Sequence, residues 1–177
     1  MKRIWSAVLA LLFVFAFMGC KNKEGKSSTP PAIVPSYEAD VKISFNDVEI
    51  TCHVVQQNFE ETEIEIYTPE ELKGFIISKT QDGCSLKFKD MDYKMDLSKY
   101  PNASFAQIMT QAYSSLVNSD GIKVTKNNKY WIYQGSIDSG KFIITQNDET
   151  GFINKIEVPK VGMIAEFSNI KSISPKQ

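Results

Sequence analysis

From Tyr37 onward the chain is dominated by a period of two, and this limits its fold more than any other feature. Tyr37, Ala39, Val41, Ile43 and Phe45 alternate with Glu38, Asp40, Lys42 and Ser44. Successive side chains of a strand point to opposite faces, so such a run is a strand with one face in a core and one in water. Asn46-Asp47 reads as a turn and 48–56 as the returning strand. Strands follow at 63–67, 75–79 and 85–88, the last two joined across Asp82-Gly83, and then comes the alternating run Tyr93, Met95, Leu97. Four more are read at 130–134, 142–146, 152–158 and 163–170, punctuated by Ser139-Gly140, Thr150-Gly151 and Val161-Gly162. About ten short strands with tight turns make a mainly β, α+β fold built as an antiparallel meander. No repeat of fixed period is present, which argues against a propeller or solenoid.

Two helical segments interrupt the strands. Thr68-Pro69-Glu70-Glu71 has the form of a capping box with proline at the first helical position, and Gly74 closes it as a short connector. The longer helix starts at Ser104, with Ser104 and Gln107 as a second capping box. Phe105, Ile108, Met109, Ala112, Tyr113 and Leu116 then form one apolar stripe at helical spacing. A helix with such a stripe must bury it, and the inner face of the sheet is the available partner.

The first residues tell of location. Lys2 and Arg3 precede an apolar run from Ile4 to Met18, broken only by Ser6, and Gly19 and Cys20 follow. The run is shorter than the roughly 20 residues a bilayer-spanning helix needs. A positive start, a short apolar core and a small residue at its end describe a secretory signal over residues 1–19. Cys20 then stands where a bacterial lipobox places the acylated cysteine, although Phe17 and Met18 depart from its usual residues. Residues 20–36, rich in Lys, Ser and Pro, read as the lipidated cysteine and a solvated tether, and 37–173 as the folded domain. The expectation is a lipoprotein with its palmitate-type anchor in the cell membrane, on the extracytoplasmic face. The alternative is an uncleaved membrane anchor.

The net charge of the chain is −1, with no basic excess to neutralise phosphates, which argues against a nucleic-acid partner. Arg3 is the only arginine, so the exported chain lacks guanidinium clamps for phosphate or carboxylate. Cys52 and Cys84 fall in strand positions of apolar alternation and read as buried thiols or as a disulfide pair. His53 is the only histidine, no Cys-x-x-Cys occurs, and Asp90, Asp92 and Asp96 lack the glycine turn of a calcium loop. No metal and no cofactor is expected. No hydrolase, zincin or phosphate-loop motif is present, and no enzymatic activity is expected.

The order of these elements resembles the LolA/LolB lipoprotein-carrier superfamily: an exported chain, an antiparallel meander, a proline-marked connector (Thr68 to Gly74) after the third strand, and one amphipathic helix before the last strands. The Thr150-Gly151-Phe152-Ile153 hairpin followed by Pro159 adds to the likeness, which spans about 37–170. The resemblance implies a strongly bent, incomplete β-barrel whose apolar hollow is covered by helices and takes up a lipid or acyl chain. The chain departs from the superfamily in two ways. A Pro-rich segment stands in place of the N-terminal helix, and the carriers' functional arginine has no counterpart.

A pocket in such a hollow would be lined by Phe75, Ile77, Phe88, Phe105, Ile108, Met109, Tyr113 and Phe142. The same side chains serve equally well as a solid core. In the first case the chain binds a hydrophobic ligand; in the second it is an interaction or sensory module whose partner is another envelope protein. In Tyr130-Trp131-Ile132-Tyr133 alternation divides the aromatics between two faces, and cross-strand packing is the favoured role.

Overall fold

In the computed structural model the described residues are 29–80, 83–95, 105–118 and 121–174. The signal segment 1–19, Cys20, the tether as far as Ser28, Asp96, Leu97 and the Ser104 cap lie outside them. The chain divides into two units, 1–30 and 31–177, and the fold set out here is that of the second.

Eleven strands form one antiparallel sheet: β1 (Tyr37–Phe45), β2 (Val48–Gln57), β3 (Glu61–Thr68), β4 (Ile76–Thr80), β5 (Gly83–Phe88), β6 (Met91–Met95), β7 (Lys123–Asn127), β8 (Tyr130–Ile137), β9 (Gly140–Asn147), β10 (Ile153–Val158) and β11 (Met163–Ser172). Their order is β6-β5-β4-β3-β2-β1-β11-β10-β9-β8-β7, so the sheet is not closed and β6 and β7 are its edges. The helix α1 (Phe105–Asn118) connects those two edges. It touches β3 and β4 on one half of the sheet and β8 on the other. Five strands stand between β3 and β8. Flat, the two would lie roughly 29 Å apart at 4.8 Å per strand, while a helix is only about 10–12 Å across. One helix reaching both therefore requires the sheet to bend around it. This is the mainly β, open and bent antiparallel sheet with one covering helix expected from the order of elements.

Alternation sets the inside of the bend. Ala39, Val41 and Ile43 of β1, Ile50, Cys52 and Val54 of β2, and Met163, Ala165 and Phe167 of β11 are all buried. Against them the helix presents Phe105, Ala106, Ile108, Met109, Ala112, Tyr113 and Leu116, every one buried. Burying a leucine, isoleucine, methionine or phenylalanine side chain gains roughly 1.5–3 kcal/mol, so this stripe holds the helix in place.

Two features differ from the sequence-based expectations. The connector is a single 3₁₀ turn, Glu70–Leu72, with Pro69 at its N-cap and no side-chain cap. The Thr68 hydroxyl is engaged elsewhere: it lies 2.7 Å from the Thr51 hydroxyl and accepts the Thr51 N–H at 3.1 Å. Strand β7 is additional to the ten expected, and its residues Lys123, Val124, Thr125 and Asn127 are all exposed. The second unit takes in residues 31–36 together with the strands. Residues 31–36 are bound through their carbonyls: Pro31 accepts from Gln146 Nε2 (3.1 Å), Pro35 from the Phe59 N–H (3.3 Å) and Ser36 from the Ile173 N–H (3.2 Å).

Candidate functional site: the concave face

The middle of the concave face is filled. Phe105 meets Phe45 edge-on at 6.5 Å, and Tyr113 lies 6.1 Å from Tyr37 and 5.6 Å from Phe59. Tyr37 in turn meets Phe167 edge-on at 6.2 Å. Burial pushes the Tyr37 phenol far above its usual range, partly offset by a hydrogen bond with Tyr113. Burial also raises Tyr113, with Tyr37 adding to the effect. The Cys52 thiol is pushed up to about 12 by burial, with the Asp40 charge as the lesser cause. Cys52 and Cys84 are both free.

Of the eight side chains expected to line a hollow, Ile77, Phe105, Ile108, Met109, Tyr113 and Phe142 are buried in this packed interior. Phe75 and Phe88 are not: both are half-buried, and their rings stack face to face at 4.1 Å with an interplanar angle of 7°. They belong to the flank of the concave face that α1 leaves uncovered. Pairing aligns Ile64, Ile77, Leu86 and Tyr93 in one row across β3 to β6, and Phe88 stands opposite Met91 in the next. Along the first row burial fades toward the edge of the sheet. Ile64 and Ile77 are buried, Leu86 is half-buried, and Tyr93 is 65% exposed. Met91 is 63% exposed. Phe75, Leu86, Phe88, Met91 and Tyr93 thus make an apolar shelf that continues the core out to solvent.

Leu86 and Tyr93 were legible as strand residues, but alternation gives no sign that the helix stops short of them. Met91 reads in sequence as a turn residue, whereas the turn lies at Lys89-Asp90 and Met91 opens β6. On β8, Trp131 and Tyr133 face the interior as cross-strand packing requires. The Trp131 Nε1–H donates to Asp148 Oδ1 (2.6 Å), and the Tyr133 hydroxyl hydrogen-bonds Gln146 Oε1 (2.5 Å).

His53 lies on the convex face. Its Nδ1 is 3.2 Å from Asp40 Oδ1, and Asn169 Nδ2 donates to the other Asp40 oxygen at 2.8 Å. Those bonds, Asn169's first and then His53's, lower the Asp40 pKa. The neighbouring Ser168 hydroxyl donates to the Asp40 backbone carbonyl (3.2 Å), so it is not aligned on His53 as a nucleophile would be on its base.

No family model matches the chain, and no curated protein matches it in sequence. Among solved structures it is similar to an uncharacterized conserved protein from Thermus thermophilus, 9% identical over 81% of this chain and 82% of that one, with a TM-score of 0.52. It is also similar to a LolA superfamily protein from Nitrosomonas europaea, 11% identical over 81% of this chain and 88% of that one, TM-score 0.44. A third is a DUF1329 family protein from Desulfovibrio piger, 10% identical over 78% of this chain and 86% of that one, TM-score 0.44. At such identities the likeness is one of fold alone.

Proposed function

We propose that this chain is a lipid-anchored protein of the extracytoplasmic face of a bacterial membrane and binds an acyl chain, or a similar apolar ligand, on the concave face of its sheet. The observation that supports this reading most is the uncovered shelf, where Phe75 and Phe88 stack and Met91 and Tyr93 stand in water. Exposed apolar area continuous with a core is costly unless something covers it. Methionine and aromatic rings are adaptable partners for a flexible chain. Acylation at Cys20 would keep the shelf beside a supply of such chains. The other six expected residues would then act as the rigid back wall rather than as ligand contacts. Binding and release of an apolar guest requires no catalytic group, and we assign none.

A second reading rests on the same packing. Because Ile108, Phe142 and their neighbours fill the middle of the bend, the shelf also suits the apolar side chain of another envelope protein. A polyene fatty acid whose fluorescence rises on burial separates the two. The acyl reading predicts a saturable rise that Phe88→Asp or Tyr93→Asp abolishes; no rise with the unaltered chain would leave the protein-partner reading. Anchoring is tested separately. Cys20→Ala should release the exported chain from the membrane, and retention there would favour an uncleaved anchor.

A further inference from the structure

The 14-residue helix α1 carries no charged residue, in a chain that is 23% charged. Its face opposite the apolar stripe consists of Gln107, Thr110, Gln111, Ser114, Ser115 and Asn118, all neutral and polar. These six form the floor of a groove of about 550 Å³, walled by Phe59, Glu60 and Lys79 on one half of the bent sheet and by Ser136, Ile137 and Asp138 on the other. That volume falls in the range of small-molecule sites, about 300–1,000 Å³.

The floor is largely uncommitted. The Thr110 hydroxyl returns to the Ala106 carbonyl at 2.8 Å. The side chains of Gln107 and Gln111 have no hydrogen bond among the described residues, and each amide oxygen is buried without a partner. An unpaired buried acceptor costs roughly 1–3 kcal/mol, so two of them one helical turn apart call for an explanation. A half-turn about the last side-chain bond exchanges oxygen and nitrogen, so each amide can present a donor or an acceptor to the groove. The wall has an oddity of its own. Asn58 and Phe59 both have left-handed backbones, with φ of 49° and 63°. Glycine or asparagine is the ordinary choice at such a turn position, and a phenylalanine there is strained. The turn sets its ring on the groove.

We propose that this groove binds a neutral oligosaccharide. Amides and hydroxyls in a row match the alternating donors and acceptors of sugar hydroxyls, and the Phe59 ring offers a flat apolar surface to the C–H face of a sugar ring. The floor itself carries no charge, and the groove's charged side chains, Glu60, Lys79 and Asp138, stand on its walls. None of the shelf residues lines this groove.

The test is saturation-transfer NMR on the full chain in lipid nanodiscs, with tri-N-acetylglucosamine, cellotriose and maltotriose as probes. At least one is expected to receive saturation and to bind equally well in high salt. Gln107→Ala combined with Gln111→Ala should weaken it about tenfold, the equivalent of about 1.4 kcal/mol. Phe59→Leu, which keeps an apolar contact with Tyr113 while removing the flat ring, should also weaken binding. The proposal is overturned if none of the three sugars binds, or if neither variant changes the binding.

Discussion

Gly135 and Phe142 stand opposite each other in the β8–β9 pairing, and the glycine is what lets the ring lie flat on the sheet. A Cβ at Gly135 would come within 2.6 Å of Phe142 Cζ and 2.5 Å of Ile122 Cδ1. Overpacking of this kind costs about 1–3 kcal/mol, so Gly135→Ala should lower the urea midpoint with an unchanged slope. An unchanged midpoint would mean that the ring is not fixed there. Phe142 was legible as a core position from its alternation; the need for glycine opposite it was not, because register across strands is not written in either strand. Cys52, Tyr37 and Tyr113 carry the residue-scale prediction on pH. Burial raises all three above their ordinary values, which are 9.0 for the thiol and 10.0 for the phenols. The unfolded chain therefore loses these protons first. Their contribution is intact below pH 9 and shrinks as pH rises from there through the folded values, by about 1.4 kcal/mol per unit for each group. Stability measured at rising pH should fall from about pH 9, and Cys52→Ala should make the early part of that fall shallower. A flat profile between pH 9 and 11 would contradict the burial of these groups.

At the scale of elements, β7 is the strand that the sequence hides. Lys123 to Asn127 shows no apolar alternation, because an edge strand with both faces in water has none to show. What holds it is local. Lys126 Nζ lies 2.7 Å from Asp148 and 4.8 Å from the centre of the Trp131 ring, and Trp131 donates to the same carboxylate. Hydrogen bonds to charged groups are worth about 1.5–3 kcal/mol, so Asp148→Ala should cost about 2 kcal/mol. Faster amide exchange is expected in β7 and at the start of β8, with β1, β2 and β11 unaffected. Exchange that rises equally across the sheet would show that the carboxylate does not act locally. The stripe of helix α1 from Phe105 to Leu116, by contrast, was legible, since its spacing at i, i+3, i+4 and i+7 is what an isolated amphipathic helix must show. The sequence does not say how far across the sheet it reaches, and the exposed shelf on β5 and β6 follows from that distance.

For the whole molecule, the attachment of residues 31–36 was the part least legible. Residues 31–36 have the composition of a linker, yet Ile33 packs against the core and Gly151, at φ 74°, makes room for the backbone beside it. A Cβ at Gly151 would stand 2.7 Å from the Ala32 carbonyl oxygen. Composition reports what a segment would do in water, and the receiving surface comes from elsewhere in the chain, from the Asn58-Phe59 turn and from Gln146, Gly151 and Ile173. Removing residues 1–36 should therefore lower the melting temperature by roughly 10 °C relative to removing 1–30, from five lost hydrogen bonds, two of them between Ser36 and Asn58, and one lost apolar contact. Equal melting temperatures would return the boundary to Tyr37. The bent sheet itself was legible because its elements and their order were; the division of the eight named side chains between interior and shelf was not, because it depends on how closely the helix seats. The central claim is that the filled bend keeps one open apolar shelf for an acyl chain. The most direct test is native mass spectrometry of residues 31–177 titrated with palmitate. One bound palmitate per chain, lost in the Phe88→Asp, Tyr93→Asp double variant but retained in Gln111→Ala, is the predicted result. A chain that stays bare at every palmitate concentration, or a double variant that still carries the acid, would contradict the account.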